Sequence, residues 1–573
     1  MKTLCLLVTS LLLIFVVSYS VFAEEISWNA SGTGGAVAAA KKESVEAGLT
    51  ILKQGGNAAD AAAATLLALS ITETGFFVIG SEVPLIIYDA KKKEVKVLNG
   101  LGGAPLDKEA IDWYNKNGIP GGGGMKSAPV PGAMSLIMKL LQLYGTMSFE
   151  QASAPALALL ETGERMWDEM REKYWENNWH PALAKTFRKL IETEKKTVGT
   201  REEKLQAARD RYYKGDIADA LEAFYIKEGG FLRKKDLIAH ETRLEDPVTI
   251  NYRGYDVYKC DTWTQGPFLC QTLRILEGFD LKKMGYMSAD YIHVLTEAMK
   301  LGFADRDEYY GDPLYEDVPM KELLSDEYTE LRRPLIDMKK ASATVRPGDP
   351  FNMKAVKKPS FYQPGIGGTT TCTVADKWGN MVVATPSGNP PYSIDPVTGI
   401  PHGNRLRQLN TTPRHPNRME PGKRPRMTLT PTMVLKDGKA VIAISVAGGD
   451  TQDQTALICL LNFIEFGILP KESVMAPRFS TGHHEGSFSP NVNRGKTLGN
   501  VLGLGIENVV DEEVIAELTK RGHKVRTFSG ANSHPIMLYV DPYTGKMYAA
   551  GDHRVWRHAG VVNSIVLDTE PPW

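Results

Sequence analysis

Gly367-Gly368-Thr369-Thr370-Thr371-Cys372-Thr373-Val374-Ala375-Asp376 runs from two glycines into a threonine-rich segment, and Lys377-Trp378-Gly379-Asn380 and Met381-Val382-Val383-Ala384-Thr385 follow it. The β-branched residues favour a strand, the Lys-Trp-Gly-Asn tetrapeptide reverses the chain, and the Val-Val segment returns, so this region predicts a β-hairpin. A threonine that opens a strand directly after Gly-Gly also suits self-cleavage. Thr369 Oγ would attack the Gly368 carbonyl, an N→O acyl shift would follow, and hydrolysis would leave Thr369 as a new N-terminus. Its free α-amine would then act as general base for its own hydroxyl, which answers the weak nucleophilicity of an ordinary threonine. Glycine before the scissile bond makes the strained turn cheapest. An ordinary threonine-rich strand is the alternative that these residues alone leave open.

The chain has 573 residues, 43% hydrophobic and 24% charged, ample for a folded core. With 67 basic against 68 acidic residues and no basic stripe with interleaved aromatics, nucleic acid is not indicated as a partner. Met1-Lys2, the apolar run Leu4 to Phe22, and Val21-Phe22-Ala23 before Glu24-Glu25 read as a signal peptide over residues 1–23. That predicts a secreted or periplasmic protein with no membrane contact after removal, and an uncleaved anchor is the alternative. Cys5 would leave with the signal. Cys260, Cys270, Cys372 and Cys459 are too sparse for a disulfide scaffold and lack CxxC spacing, so one bridge or buried thiols both fit.

Around the hairpin, helices are expected over Ser44–Leu52 and Asn57–Leu69, the second capped by Asn57 with Asp60 three residues on and apolar on every side. Strands are expected over Val83–Tyr88, Glu94–Leu98 and Asp246–Tyr258, and a long helix over Ala289–Tyr309. Trp167, Trp175 and Trp179 lie in a charged, helical segment and read as packing residues, the wall of a pocket being the alternative. An Asp437-Gly438 turn joins strands Met433–Leu435 and Ala440–Val446, and Ala447-Gly448-Gly449-Asp450 leads into a helix through Phe466. Helix pairs alternating with strand pairs predict an α/β fold of two stacked sheets between helical layers. Gly448-Gly449, between strand and helix, can present free backbone N–H groups to an oxyanion. His483-His484-Glu485 has no third ligand at metal spacing and reads as a local turn or surface, so no metal is expected.

Together these motifs resemble the γ-glutamyltranspeptidase family over nearly the whole mature chain. The resemblance rests on Gly55-Gly56-Asn57-Ala58-Ala59-Asp60-Ala61, Val130-Pro131-Gly132, Tyr213-Lys214-Gly215-Asp216-Ile217 and Tyr252-Arg253-Gly254-Tyr255. Phe303-Ala304-Asp305-Arg306, Tyr310-Gly311-Asp312-Pro313, Lys423-Arg424-Pro425 and Ala476-Pro477-Arg478-Phe479 extend it. It implies an N-terminal-nucleophile (Ntn) hydrolase αββα sandwich, processed into a large subunit (24–368) and a small subunit (369–573) that form one domain. It implies Thr369 as nucleophile, Gly368 before the cleavage site, Ser387 supporting the nucleophile's hydroxyl, Asn389 on substrate, and Gly448 and Gly449 as the oxyanion hole. No cofactor is implied.

The chain departs from the family where the family reads the glutamyl group. The family holds the α-carboxylate with an arginine just before an Ala-Pro pair, and Asn99-Gly100-Leu101-Gly102-Gly103-Ala104-Pro105 contains none, while Gln408 is the best-aligned position for the acid that meets the α-amine. Two serines become Met427 and Thr428, a glycine cluster becomes Phe76-Phe77-Val78-Ile79-Gly80-Ser81-Glu82, and a histidine becomes Thr371. The segment from Gln408 to Pro425 is short for a full lid loop. Losing a bidentate arginine and a buried acid removes a few kcal/mol of discrimination. The expectation is therefore an amide hydrolase or acyltransferase acting on a small amide or peptide, with water or an amine as acceptor and with Gln408, Thr428 and Leu101 at the substrate. A true glutathione hydrolase anchored by Arg405 or Arg407, or a catalytically inactive binding relative, are the alternatives.

Overall fold

The computed structural model describes residues 26–121, 123–162, 179–358, 369–388, 393–488, 491 and 500–563. The segment expected to be a signal peptide (residues 1–23), Cys5, Trp167, Trp175, Gly368 and Asn389 lie outside them.

An antiparallel eight-stranded sheet runs, edge to edge, through Ile26–Ser27, Arg557–Val561, Gly35–Ala40, Cys372–Asp376, Met381–Ala384, Val83–Asp89, Glu94–Gly100 and Arg243–Glu245. A seven-stranded sheet runs through Asn29–Gly32, Met547–Gly551, His534–Val540, Lys439–Ala447, Thr432–Lys436, Tyr255–Lys259 and Val248–Tyr252. Both sheets therefore interleave strands from before and after Thr369, so neither side of that residue closes a sheet alone. A small sheet of Phe479–Thr481, Gly503–Glu507 and Lys524–Phe528 stands apart.

The two-residue alternation of strands builds the layers. Ala36, Ala38, Ala375, Met381 and Val383 of the first sheet share an apolar layer with Met433, Ala443, Ile536 and Leu538 of the second. Their neighbours Val37, Ala39, Val374, Val382 and Ala384 face the opposite way, toward helices Lys42–Lys53, Ala58–Thr72, Ala133–Tyr144 and Phe149–Thr162. Val434, Ile442, Ile444 and Met537 cover the far side of the second sheet against helices Pro267–Leu276, Ala289–Tyr309 and Gln452–Phe466. The result is the expected αββα sandwich.

The local signals appear where the residues put them. Asn57 caps Ala58–Thr72 in a capping box with Asp60, and every residue from Ala58 to Ile71 is buried. Asp437 and Gly438, at φ 51° and 72°, form the tight turn before Lys439. In the Thr369 hairpin, Asp376 accepts from the amides of Trp378 and Asn380 at 2.9 and 3.0 Å. Its second oxygen accepts from Ala58 N at 2.9 Å, tying the hairpin to the helix start. One expectation is corrected: Asp246–Tyr258 is not a single strand, because Arg253-Gly254, both at positive φ, fold it into a hairpin. All four described cysteines are free and buried. Among the described residues no helix is long and apolar enough to cross a membrane.

Candidate active site

Thr369 does not open the hairpin's first strand as expected but lies three residues before it (Cys372–Asp376), 2% exposed, on the wall of a cavity of about 450 Å³. Parity sets its neighbours apart. Cys372 packs into the helix-side core, and burial pushes its thiol well above the ordinary range, so it is not a competing nucleophile. Thr369 Oγ1 lies 3.3 Å from Ser387 Oγ. Gly448 and Gly449 line the same cavity, where the strand Lys439–Ala447 breaks toward the helix Gln452–Phe466. Gly448 sits at φ 147°, ψ 25°, a conformation reserved for glycine, and Thr451 N and Oγ1 donate to its carbonyl at 3.2 and 2.7 Å. The structure thus brings Thr369, Ser387, Gly448 and Gly449 together.

Ser387 is held by the segment that replaces the expected glycine cluster. Ser387 N donates to Glu82 O at 3.1 Å, Glu82 N donates back to Ser387 O at 3.2 Å, and Gly388 N donates to Phe76 O at 2.8 Å. Glu82 Oε1 accepts from Arg405 Nε at 2.5 Å in an ion pair with both side chains buried. Burial raises the Glu82 carboxyl and Arg405 opposes that rise. The other arms of Arg405 donate to Ser387 Oγ and, at 2.9 Å, to Gln408 Oε1. A guanidinium only donates, so Ser387 accepts from Arg405 and its own proton can be turned to Thr369.

Gln452, which sequence reasoning did not single out, closes the back of the site. Val446 O and Thr428 O face one side of its amide at 2.9 and 3.0 Å, so that side is the NH2 group. The amide oxygen then accepts from Thr369 Oγ1 at 3.2 Å and from Gly449 N at 3.3 Å. Thr428 is joined to Thr369 in this way through its carbonyl. Gln408 reaches Ser387 only through Arg405. Leu101 is not brought to the cavity, since its fully buried side chain belongs to the apolar layer between the sheets.

Asp450 continues the cavity wall and is fixed from behind by Arg306. Arg306 Nη1 donates to Asp450 Oδ1 at 2.7 Å, and Ser487 Oγ donates to the same oxygen at 2.6 Å. Burial alone would raise the Asp450 carboxyl, and Arg306 overcomes it, leaving the group at about 2. His483, His484 and Glu485 are buried here rather than on the surface, a correction whose reason is the same polar cluster. Glu485 N donates to Asp307 Oδ2 at 2.7 Å and His415 Nε2 meets Glu485 Oε1 at 3.0 Å. His484 and His534 line the cavity as neutral imidazoles, because burial lowers both, His534 to about 3. Among the described residues no three His, Cys, Asp or Glu side chains are grouped to hold a metal.

A buried hydroxyl with an arginine-polarised serine on one side and strand-to-helix glycine amides on the other can serve acyl transfer. The Gamma-glutamyltranspeptidase family model matches residues 44–562. A glutathione hydrolase proenzyme of Bacillus subtilis strain 168 is 30% identical, over 91% of this chain and 90% of its own. An acylase ACY 1 proenzyme of Pseudomonas sp. strain SE83 is 30% identical, over 87% of this chain and 88% of its own. The crystal structure of a cephalosporin acylase from Bacillus halodurans superposes with a TM-score of 0.76 at 27% identity, covering 94% of this chain and 98% of that one.

Proposed function

The chain belongs to the γ-glutamyltranspeptidase family and is an enzyme of its hydrolase and transferase class, and from that premise we propose that it is a self-cleaving threonine amidohydrolase of the acylase type. It cuts itself between Gly368 and Thr369, giving subunits 24–368 and 369–573, after export directed by residues 1–23. The new α-amine of Thr369 takes the proton from its own Oγ as that oxygen attacks an amide carbonyl. Ser387, turned by Arg405, donates to Thr369 Oγ, and the Gly448 and Gly449 amides receive the oxyanion. The protonated amine then delivers its proton to the leaving amine. Water or a second amine resolves the acyl-enzyme by the reverse path.

The observation that carries this reading is the placement of Thr369 Oγ1 at 3.3 Å from Ser387 Oγ on one cavity with Gly448 and Gly449. For the acyl group, the occupation of Arg405 supports a substrate other than a γ-glutamyl amide. All three of its nitrogens are engaged, by Glu82, Ser387 and Gln408, and Glu82 neutralises its charge. Among the described residues lining the cavity none is Lys or Arg, the Asp450 carboxylate is already paired with Arg306 behind the wall, and the lining otherwise offers Phe76, Asn500, Asn532 and neutral histidines. Such a wall suits an uncharged, partly aromatic or amide-bearing acyl group.

N-terminal sequencing and intact mass of the purified protein, beside Thr369→Ala, test the mechanism. A chain beginning at Thr369, absent in the variant, is expected; an uncut chain in both overturns the catalytic reading in favour of a binding protein. Turnover of a γ-glutamyl anilide beside anilides of neutral acids tests the substrate. Preference for the γ-glutamyl compound would return the glutathione-hydrolase reading.

A further inference from the structure

The amide of Gln452 touches both halves of the reaction site without lining the cavity. It is the first residue of the helix Gln452–Phe466, 1% exposed, and stands behind Thr369. Its NH2 group is held by two main-chain carbonyls, Val446 O at 2.9 Å and Thr428 O at 3.0 Å. Its oxygen is therefore fixed, and this one atom accepts from Thr369 Oγ1 at 3.2 Å and Gly449 N at 3.3 Å.

Resting on the reading of Thr369 as nucleophile, we propose that Gln452 is a positioning residue that sets the spacing between the attacking oxygen and the oxyanion turn. The carbonyl oxygen of an amide has two lone-pair directions, and here they bridge the nucleophile's hydroxyl to the glycine amide. Ser387 approaches Thr369 from the Arg405 side and Gln452 from the helix side, so the hydroxyl rotor is held between a donor and an acceptor. Gln452 holds Gly449 N–H in register in the resting site, and as the α-amine takes the Thr369 proton that N–H is shared with the oxyanion where charge develops. Misplacement of an attacking atom by about 1 Å costs on the order of 100-fold in rate, which is the scale on which such a bridge acts.

The discriminating pair of variants is Gln452→Met and Gln452→Glu. Methionine keeps the length and volume and removes all four hydrogen bonds. Glutamate in its neutral form reproduces the amide: its carbonyl oxygen accepts from Thr369 and Gly449, and its O–H donates to Val446 O or Thr428 O. Once ionised it sets a second acceptor against those carbonyls. The readout is acylation by a β-lactone, followed by mass on the chain beginning at Thr369 across pH 5 to 9. In that step Thr369 Oγ bonds to the lactone carbonyl carbon, the ring C–O bond opens, and the hydroxyl proton passes through the α-amine to the released alkoxide. Self-cleavage of the precursor, in which Thr369 Oγ also attacks, gives the same ratios for a variant that matures slowly.

Gln452→Met is expected to acylate at least about tenfold more slowly than the parent, with half-saturating lactone unchanged. Gln452→Glu is expected to match the parent at low pH and to fall behind as pH rises through the introduced carboxyl's pKa. A Met variant within twofold of the parent overturns the proposal. So does a Glu variant whose ratio to the parent is flat with pH, since that marks a merely structural residue; this arm decides alone if the Met variant does not fold. A parent cleaved before Thr369 but unaffected by either change sinks the Gln452 role alone, whereas a parent never labelled at Thr369 removes the nucleophile reading and this role with it.

Discussion

Glu82 and Arg405 meet at 2.5 Å as a fully buried ion pair, and the arginine's remaining arms reach Ser387 and Gln408. Two charges removed from water repay their desolvation only while both are present. Arg405→Met is therefore expected to cost about 3–5 kcal/mol in urea unfolding, because Glu82 is left buried and unpaired. The double change Glu82→Gln with Arg405→Met is expected to recover much of that loss. Turnover should not recover with it, since Ser387 still lacks its donor. Equal stability in the single and double variants would contradict this account of the pair.

Gly448 offers a different separation of stability from activity. At φ 147° a side chain is strained, and a Cβ there would lie 2.6 Å from Thr451 Oγ1 and 3.1 Å from Ser533 Cβ. Gly448→Ala is expected to cost about 1–3 kcal/mol in stability, the scale of a strained backbone residue. Its effect on turnover should be larger, about 100-fold or more, because the displaced turn carries the amides proposed to receive the oxyanion. Thermal melts beside steady-state rates measure both.

His402 predicts an acid limb in stability. It is fully buried with Tyr225 Oη 3.0 Å from its Nε2, and burial lowers its pKa from 6.5 to about 3. The unfolded chain takes this proton first as pH falls, so the neutral folded form is favoured fully above about pH 6.5. Its contribution is then lost between about pH 6.5 and 3. His402→Gln is expected to flatten the stability–pH slope in that window by one proton, about 1.4 kcal/mol per pH unit. Urea midpoints taken at pH 7, 6, 5 and 4 test the difference.

The thiols give the simplest test of the core. Cys260, Cys270, Cys372 and Cys459 are all buried, and burial raises every one of these thiols, Cys459 to about 11. A water-soluble thiol reagent is expected to leave these four unmodified in the native protein and to modify them in denaturant. Rapid labelling of Cys372 in the native protein would place it at the surface and break the sandwich assignment.

Much of this architecture is written locally in the chain. The alternation from Cys372 to Ala384 determines which side chains enter the inter-sheet layer and which meet the helices, since strand neighbours must point oppositely. Asn57 with Asp60 and Asp437-Gly438 likewise mark a helix start and a hairpin turn through bonds to backbone a few residues away. The tertiary structure alone decided who supports the hydroxyl of Thr369. Glu82 and Arg405 are 323 residues apart, and Gln452 stands 83 residues beyond Thr369, distances across which no periodicity speaks. The burial of His483 and His484 escaped the sequence for the same reason, because their partners arrive from other elements. Local chemistry encodes which face a residue takes, while an ion pair or a bridging amide exists only once folding has fixed both ends within hydrogen-bond reach.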